Sequence, residues 1–395
     1  MSNRGFLEKL LDGAVVEWKQ LGELTNVKTG QSVNKNKIAS NPGPYAVINS
    51  GREPLGFIDE WNTDDDPIGV TTRGAGVGSI TWQEGKYFRG NLNYAVSIKS
   101  DAKLETRYLY HLLLEKQADI HALCTFDGIP ALNAGKLKGL VIPIPCPDDP
   151  EKSLAIQAEI VRILDSFTEL TAELTAELKA RKQQYNHYRD QLLSFDDGDV
   201  EWKTLGDVVD FQNAKPHEKL VTPDGDVALL TAGYISTDGR SARFVKTTDV
   251  LTPAFKNDVA MVMSDLPNGR ALAKTFFVDE DGRYAANQRV CLLRVKDPES
   301  FSSKFLHYVM NRNKQLLRYD SGYDQTHLKK DWILGVKVPV PSAEEQNRIV
   351  TILDKFNTLT ASLSEGLPRE IKLRQQQYEY YRDLLLSFPK PEEAA

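Results

Sequence analysis

Apolar and aromatic positions Ile163, Phe167, Leu170, Leu174, Leu178, Tyr185, Tyr188, Leu192 and Phe195 recur at three- and four-residue spacing, with Arg181 filling the single gap. That rhythm predicts one long amphipathic helix. Ile352, Phe356, Leu359, Leu363, Leu367, Ile371, Tyr378, Tyr381, Leu385 and Phe388 repeat it near the other end of the chain. Start signals precede both: Asp149 before Pro150 suits an N-cap with proline in the first helical position, and "SAEE" from Ser342 has the spacing of a capping box. Each helix would run about 40 residues, roughly 60 Å at 1.5 Å per residue. A narrow apolar seam on so long a helix needs another helix to cover it, and the other copy is the obvious cover. The second copy carries about one extra turn, containing Gly366 and Pro368, so a bend is expected near Leu367.

Outside these helices the pattern changes period. "YAVIN", "PIGVTT", "SITW", "NYAVSIK", "DVALL", "DVAMVMS" and "RVCLLRV" read as short strands separated by turns rich in Gly, Asn and Asp. With one or two helices each, they predict mixed α/β domains of about 130 residues.

The chain is also written twice. "VEWKQLGEL" (Val16 to Leu24) returns as "VEWKTLGDV" (Val200 to Val208), and "RYLYHLLLEKQ" has a weaker echo in "KFLHYVMNRNKQ". "LKGLVIPIP" returns as "ILGVKVPVP", "ILDSF" as "ILDKF", and "QQYNHYRDQLLSF" as "QQYEYYRDLLLSF". The order is body, helix, body, helix. The helices are copied closely and the bodies have diverged, so the frame is constant and its cargo is not.

Composition and charge narrow the function. The 395 residues exceed one ordinary core, and 41% hydrophobic with 26% charged is a globular composition. "MSNRGFLEKLL" lacks the long apolar core of a signal peptide and no 18-residue apolar run exists, so a soluble, cytoplasmic protein without membrane contact is expected. The three cysteines are scattered, which argues against disulfides and a structural zinc site. The net charge of −6 falls on residues 146–200 and 341–395, whereas 15–145 hold equal numbers of basic and acidic residues and 201–340 nearly so. A protein gripping DNA alone wants a basic excess, so near-neutral bodies imply either no DNA or a partner that supplies the charge.

Catalytic motifs are missing. There is no GxxxxGK[ST] phosphate loop, no HExxH, no GxSxG and no Asn-Pro-Pro-aromatic loop. "RGAGVG" (Arg73 to Gly78) lacks GxGxxG spacing and leads into "SITW", so it reads as a tight turn that lets backbone approach another surface. A PD…ExK pattern can be forced from Pro147-Asp148 and Glu177-Leu178-Lys179, but its second part lies in the long helix. Asp64-Asp65-Asp66 reads as an acidic turn, and the six histidines show no ligand spacing.

What remains is recognition. Arg pairs with guanine and Asn or Gln with adenine at base edges. Candidate DNA-binding residues are Asn49, Arg52, Arg73, Lys86, Arg89, Asn91 and Asn93 in the first body. In the second they are Arg240, Arg243, Asn268, Arg270, Lys274, Arg283, Asn287, Gln288 and Arg289. The candidate seam and partner-docking positions are Phe167, Leu170, Leu174, Leu178, Tyr185, Tyr188, Phe356, Leu359, Leu363, Tyr378 and Tyr381.

Duplicated helices carrying "ILDxF…QQYxxYRDxLLSF", bodies ending in a "VPxP"-type strand, and "EEQNRIVTILD" leading into a helix together resemble the specificity subunit of type I restriction-modification enzymes. The tandem "TAEL" from Thr171 resembles the group of these subunits whose central repeat number varies. The resemblance implies a mixed α/β chain with a pseudo-two-fold internal repeat, in which two target recognition domains are separated by two long antiparallel coiled-coil helices. On this sequence these would be a short helical segment (1–14), recognition domain 1 (15–148), the central spacer helix (149–196), recognition domain 2 (197–341) and the C-terminal spacer helix (342–390).

It further implies a non-catalytic reader of double-stranded DNA with two unlike half-sites. No cofactor would sit in this chain. Two adenine methyltransferase subunits would dock on the helices carrying S-adenosylmethionine, and restriction subunits using ATP and Mg would join. One TAEL unit would then act as a ruler: four residues add about 6 Å of helix, or between one and two base pairs at about 3.4 Å each. The competing readings are a two-headed adaptor that binds proteins instead of DNA and, behind it, a self-contained methyltransferase or nuclease.

Overall fold

The structure is a computed structural model and describes residues 4–51, 53–196, 198–266, 271–361 and 365–389. The chain forms two compact units, residues 1–176 with 369–395, and residues 177–368. Each contains one body and the helix segments packed on it.

In the first unit a four-stranded antiparallel sheet runs in the order Thr25–Thr29, Asn93–Ile98, Ile68–Thr71, Ile80–Trp82. A second sheet places Tyr45–Ile48 between Phe57–Ile58 and Phe88–Arg89, and its pairing with Phe88–Arg89 is parallel. A ribbon of Val16–Gln20 against Val141–Pro145 closes the body, with Trp18 opposite Pro143. The repeated words "VEWK" and "VPxP" are therefore partners in one ribbon. At the centre of the core, Tyr108, Leu109, Leu112 and Leu113 of the helix Thr106–Glu115 are wholly buried with Ile68, Val70 and Val96.

The second unit repeats this topology. Its main sheet is Val209–Asn213, Val290–Val295, Val259–Val262, Thr275–Phe277, and Val227–Leu230 pairs in parallel with Tyr284–Ala286. Glu201–Thr204 against Lys337–Val340 is the equivalent ribbon. It adds Pro253–Ala254 at a sheet edge and a short pair, Ser264–Asp265 with Thr326–His327.

The first long helix spans Pro150–Leu192. Asp149 caps it, accepting from Lys152 N at 3.1 Å, and Pro150 opens it where its missing N–H costs nothing. The second long helix differs from expectation. It is two helices, Ala343–Ala361 and Gly366–Leu386, rather than one bent near Leu367. Gly366 adopts φ +74°, and a Cβ there would collide with the Thr358 and Leu359 carbonyl oxygens. Glycine at a helix end followed by proline in the next helix's first turn makes a stop and a restart, which a kink reading does not capture. Ser342 does cap the second helix through Glu345 N (3.2 Å), but the Glu345 carboxylate pairs with Arg348 instead of completing a capping box.

Candidate nucleic-acid interface

Parallel neighbours send their following loops out at the same end of a sheet. In the second body this joins the loop after Leu230 to the loop Asn287–Arg289. Asn287 N donates to Leu230 O (3.2 Å), Met263 N to Arg289 O (2.7 Å) and Leu328 N to Met263 O (2.8 Å), so four loops are strung together by main-chain bonds. In the first body Gly90 N donates to Ile48 O (2.8 Å), Thr72 N to Leu92 O (2.9 Å) and Leu132 N to Thr72 O (2.8 Å). The same three bonds link the same four loops.

On the second body this edge holds an open cleft of about 530 Å³, lined among others by Glu218, Thr231, Arg243, Asn287, Gln288 and Arg289. Four of the candidate residues therefore come together. Arg243, Gln288 and Arg289 are exposed, and Arg289 holds φ +72°. Asn287 is buried and structural: its Oδ1 accepts from His217 N (2.8 Å) and its Nδ2 donates to Glu218 Oε1 (2.9 Å). Gln288 Nε2 donates to the same oxygen at 2.7 Å. Burial pushes the Glu218 carboxyl up, but its own backbone amide, the two side-chain amides and the Arg243 charge outweigh burial and hold it below the ordinary range. An ionised Glu218 thus fixes the orientation of Gln288.

The other candidates of this body are dispersed. Lys274 is held by Asp238 (2.9 Å) and Ser236 O, Arg283 pairs with Glu280 (3.1 Å) and covers the Tyr284 ring, and Arg240 donates to Thr237 O (3.1 Å). Asn268 and Arg270 lie outside the described residues, as does Arg52 of the first body.

On the first body Arg73, Lys86 and Asn91 are exposed, and Lys86 Nζ sits 4.4 Å from the centre of the Trp61 ring. Three candidates turn inward, a correction to the sequence reading. Arg89 is buried with Nη2 donating to Asp66 O (2.7 Å) and the Tyr87 hydroxyl, and Nη1 donating to Asn93 Oδ1 and Tyr94 O. Burial lowers its pKa, against the opposing influence of Tyr87 and Asp66. Asn93 is buried with it, and Asn49 Oδ1 accepts from Leu92 N at 2.9 Å. Buried polar groups need partners, and these three use most of their hydrogen bonds to hold the loops, leaving Arg89 Nε and Asn93 Nδ2 unpaired among their buried atoms.

The frame beneath each body is duplicated position by position. Gln157 accepts from Glu105 N (2.8 Å) and donates to Lys103 O, and Gln346 accepts from Ser302 N (2.8 Å) and donates to Ser300 O. Asp165 receives Arg107 (2.8 Å) and His111 Nε2 (2.9 Å), and Asp354 receives Lys304 and the Tyr308 hydroxyl (2.6 Å). In the first unit Phe167 stacks on Tyr381, centroids 5.1 Å apart, and in the second Phe356 stacks on Tyr188 at 5.8 Å. Each long helix thus lends its aromatic end to the other's start, in antiparallel pairs.

Leu170, Leu174, Leu178, Tyr185, Leu359 and Tyr378 are half-buried, Tyr188 and Tyr381 are partly exposed, and Leu363 lies outside the described residues. The Tyr378 hydroxyl donates to His111 Nδ1 at 3.0 Å. Burial lowers the His111 pKa to about 4, against the pull of Asp165, and burial does the same to His307.

Among the described residues no cluster of His, Cys, Asp and Glu could hold a metal ion, and no helix is long and apolar enough to cross a membrane. Cys124, Cys146 and Cys291 are free and buried.

The family model for the type I restriction modification DNA specificity domain matches twice, over residues 15–181 and 198–373. The chain belongs to this family. The specificity subunit of the Escherichia coli type I restriction enzyme EcoR124I/EcoR124II is 37% identical over 99% of both chains. A putative type I restriction enzyme specificity subunit of Haemophilus influenzae is 32% identical over 98% of this chain and 99% of its own. The crystal structure of a type I restriction-modification S subunit from M. genitalium shares the fold, with a TM-score of 0.61 at 19% identity, covering 96% of this chain and 98% of the other. The duplicated frame is therefore a specificity-family scaffold. Its cleft uses Glu218, which sequence reasoning missed: Glu218 lies some seventy residues from Gln288, and nothing in its local sequence marks it.

Proposed function

We propose that this chain is the non-catalytic specificity subunit of a type I restriction-modification complex, reading a split DNA site for partners that carry the chemistry. Residues 15–148 and 197–341 each act as a target recognition domain for one half-site. The observation that carries this reading is the pair of equivalent four-loop edges, built alike in main chain and unlike in side chains. Arg243, Gln288 and Arg289 are the base-reading set of the second body, with Arg directed to guanine and Gln to adenine. Arg73 and Asn91 take the corresponding place in the first, and Lys86 adds a positive charge at the other end of the strand Phe88–Arg89.

The helices are the docking frame for two methyltransferase subunits, and restriction subunits join that core. S-adenosylmethionine belongs to the methyltransferase subunits, ATP and Mg to the restriction subunits, and the complex works in the cytoplasm. Near-neutral bodies fit such an assembly because the partners add basic surface around the phosphates. The tandem TAEL of the central helix sets the gap. Deleting Thr171 to Leu174 removes about 6 Å of helix and shortens the gap by one to two base pairs at about 3.4 Å each, leaving both half-sites unchanged.

The test is a genome-wide map of methylated adenines in cells with and without the gene, then with the deletion. A split motif that vanishes with the gene is expected. A motif indifferent to the gene, together with a purified complex that shows no salt-dependent binding to duplex, would make the chain a protein adaptor instead.

A further inference from the structure

One pair of loops on these edges has exposed apolar tips. In the first body Thr125 and Ala131 exchange main-chain hydrogen bonds (2.8 and 3.0 Å) and close a tight hairpin around "FDGIP". Gly128 turns its tip at φ +97°, with no atom within 4 Å of where a Cβ would stand, and Ile129 follows it, 70% exposed. Gly74 N donates to Pro130 O (2.9 Å), so the hairpin is strapped to the loop that carries Arg73.

In the second body Ser264–Asp265 pairs with Thr326–His327, and Gln325 Nε2 donates to Ser264 Oγ (2.9 Å). Gly322 turns this tip at φ +73°, again with open space around it, and Tyr323 follows it, 88% exposed. The two tips occupy equivalent places. Each precedes the leucine, Leu132 or Leu328, that hydrogen-bonds to the neighbouring loop, and then the short helix leading into the closing ribbon.

A single exposed apolar side chain on a surface means little. Here the same device appears twice: a left-handed glycine, then a large apolar residue that its own body does not cover. The surrounding words, "FDGIP" and "DSGYDQ", have diverged in all but the glycine. Conservation of the device without conservation of the residue is the pattern of the reading edge itself. Main-chain bonds make each tip continuous with the loops bearing Arg73 and Arg289. DNA-binding proteins use apolar side chains in this setting as wedges that enter a groove and part a base step, and an aromatic ring can also stack on a base.

We infer that Ile129 and Tyr323 are apolar wedges, each pressed into the base stack of the half-site that its own body reads. The inference rests on the DNA-reading function proposed above. Because Ile and Tyr differ in shape and in stacking, the two half-sites would be distorted differently. Each wedge makes its side's affinity depend on how easily one base step opens.

The experiment uses the subunit reconstituted with its methyltransferase partner on a duplex carrying the mapped split site, with 2-aminopurine placed in turn across both half-sites. The unaltered complex should raise the fluorescence at one step in each half-site. Ile129→Ser should abolish the signal in one half-site only and Tyr323→Ser in the other, each weakening binding about tenfold. Tyr323→Phe should keep both, and thermal unfolding and partner assembly should stay unchanged. Arg243→Ala serves as the control for reading. If it weakens binding while both tip variants bind and fluoresce normally, the DNA reading stands and the wedges fall. If the tip variants impair assembly with the methyltransferase but not DNA affinity, the tips are protein contacts and the inference is overturned. A complete complex that ignores the split duplex would overturn both.

Discussion

The two bodies differ where they face outward and agree where they meet the long helices. Asp165 with Arg107 and His111, and Asp354 with Lys304 and Tyr308, are the same bolt cast with different side chains. Gln157 and Gln346 are the same clamp built on the same residue. At the edges the pattern reverses: the first body buries Arg89 and Asn93 in its own hydrogen bonds, whereas the second exposes Arg243, Gln288 and Arg289 around a cleft. Attachment tolerates only equivalent chemistry, because each bolt satisfies buried groups. The edge tolerates almost any.

That contrast can be broken most sharply at the apolar centre of each attachment. Leu164 and Leu353 are both fully buried, so Leu164→Ala and Leu353→Ala should each cost about 2–5 kcal/mol, with similar shifts in the denaturant midpoint. Unequal costs would show that the frame's symmetry is geometric but not energetic. The clamps come next. Gln157→Ala strands Glu105 N and Lys103 O, Gln346→Ala strands Ser302 N and Ser300 O, and each should cost about 1–3 kcal/mol.

A third effect is shared by the two bodies and depends on pH. His111 and His307 have folded pKa values of about 4, below the ordinary value of 6.5, because burial opposes their charged forms. The unfolded chain therefore binds protons first. Stability is full above pH 6.5 and falls between pH 6.5 and about 4, by about 1.4 kcal/mol per pH unit for each histidine. Unfolding followed at pH 7 and pH 5 should show the loss, and His307→Phe should reduce it. The smallest effect is expected at Glu159–Arg162 and Glu345–Arg348, pairs on the solvent side of the first and second long helices. Replacing either arginine by alanine should leave the unfolding midpoint where it was.

Much of the frame could be read before the structure. Asp149-Pro150 marked a helix start, the three-and-four rhythm marked the seam, and the repeated word ILDxF aligned Asp165 with Asp354. The break at Gly366 was misread because Gly366 and Pro368 each weaken a helix, and only the positive φ of Gly366 distinguishes an ending from a kink. The edges were legible only in part. Arg89 and Arg289 are both arginines at strand ends, yet one is buried by the fold and the other is not, a difference set by neighbours distant in sequence such as Asp66. Glu218 escaped notice for the same reason.

The bonds that string the four loops together run from amide to carbonyl, from Thr72 to Leu92 in one body and from Met263 to Arg289 in the other. A main-chain bond is indifferent to which side chain its residue bears. Inheritance can therefore rewrite the residues on these loops without dismantling their mount. Under pressure for novelty, a lineage can try new side chains there while the scaffold that presents them goes on folding as before.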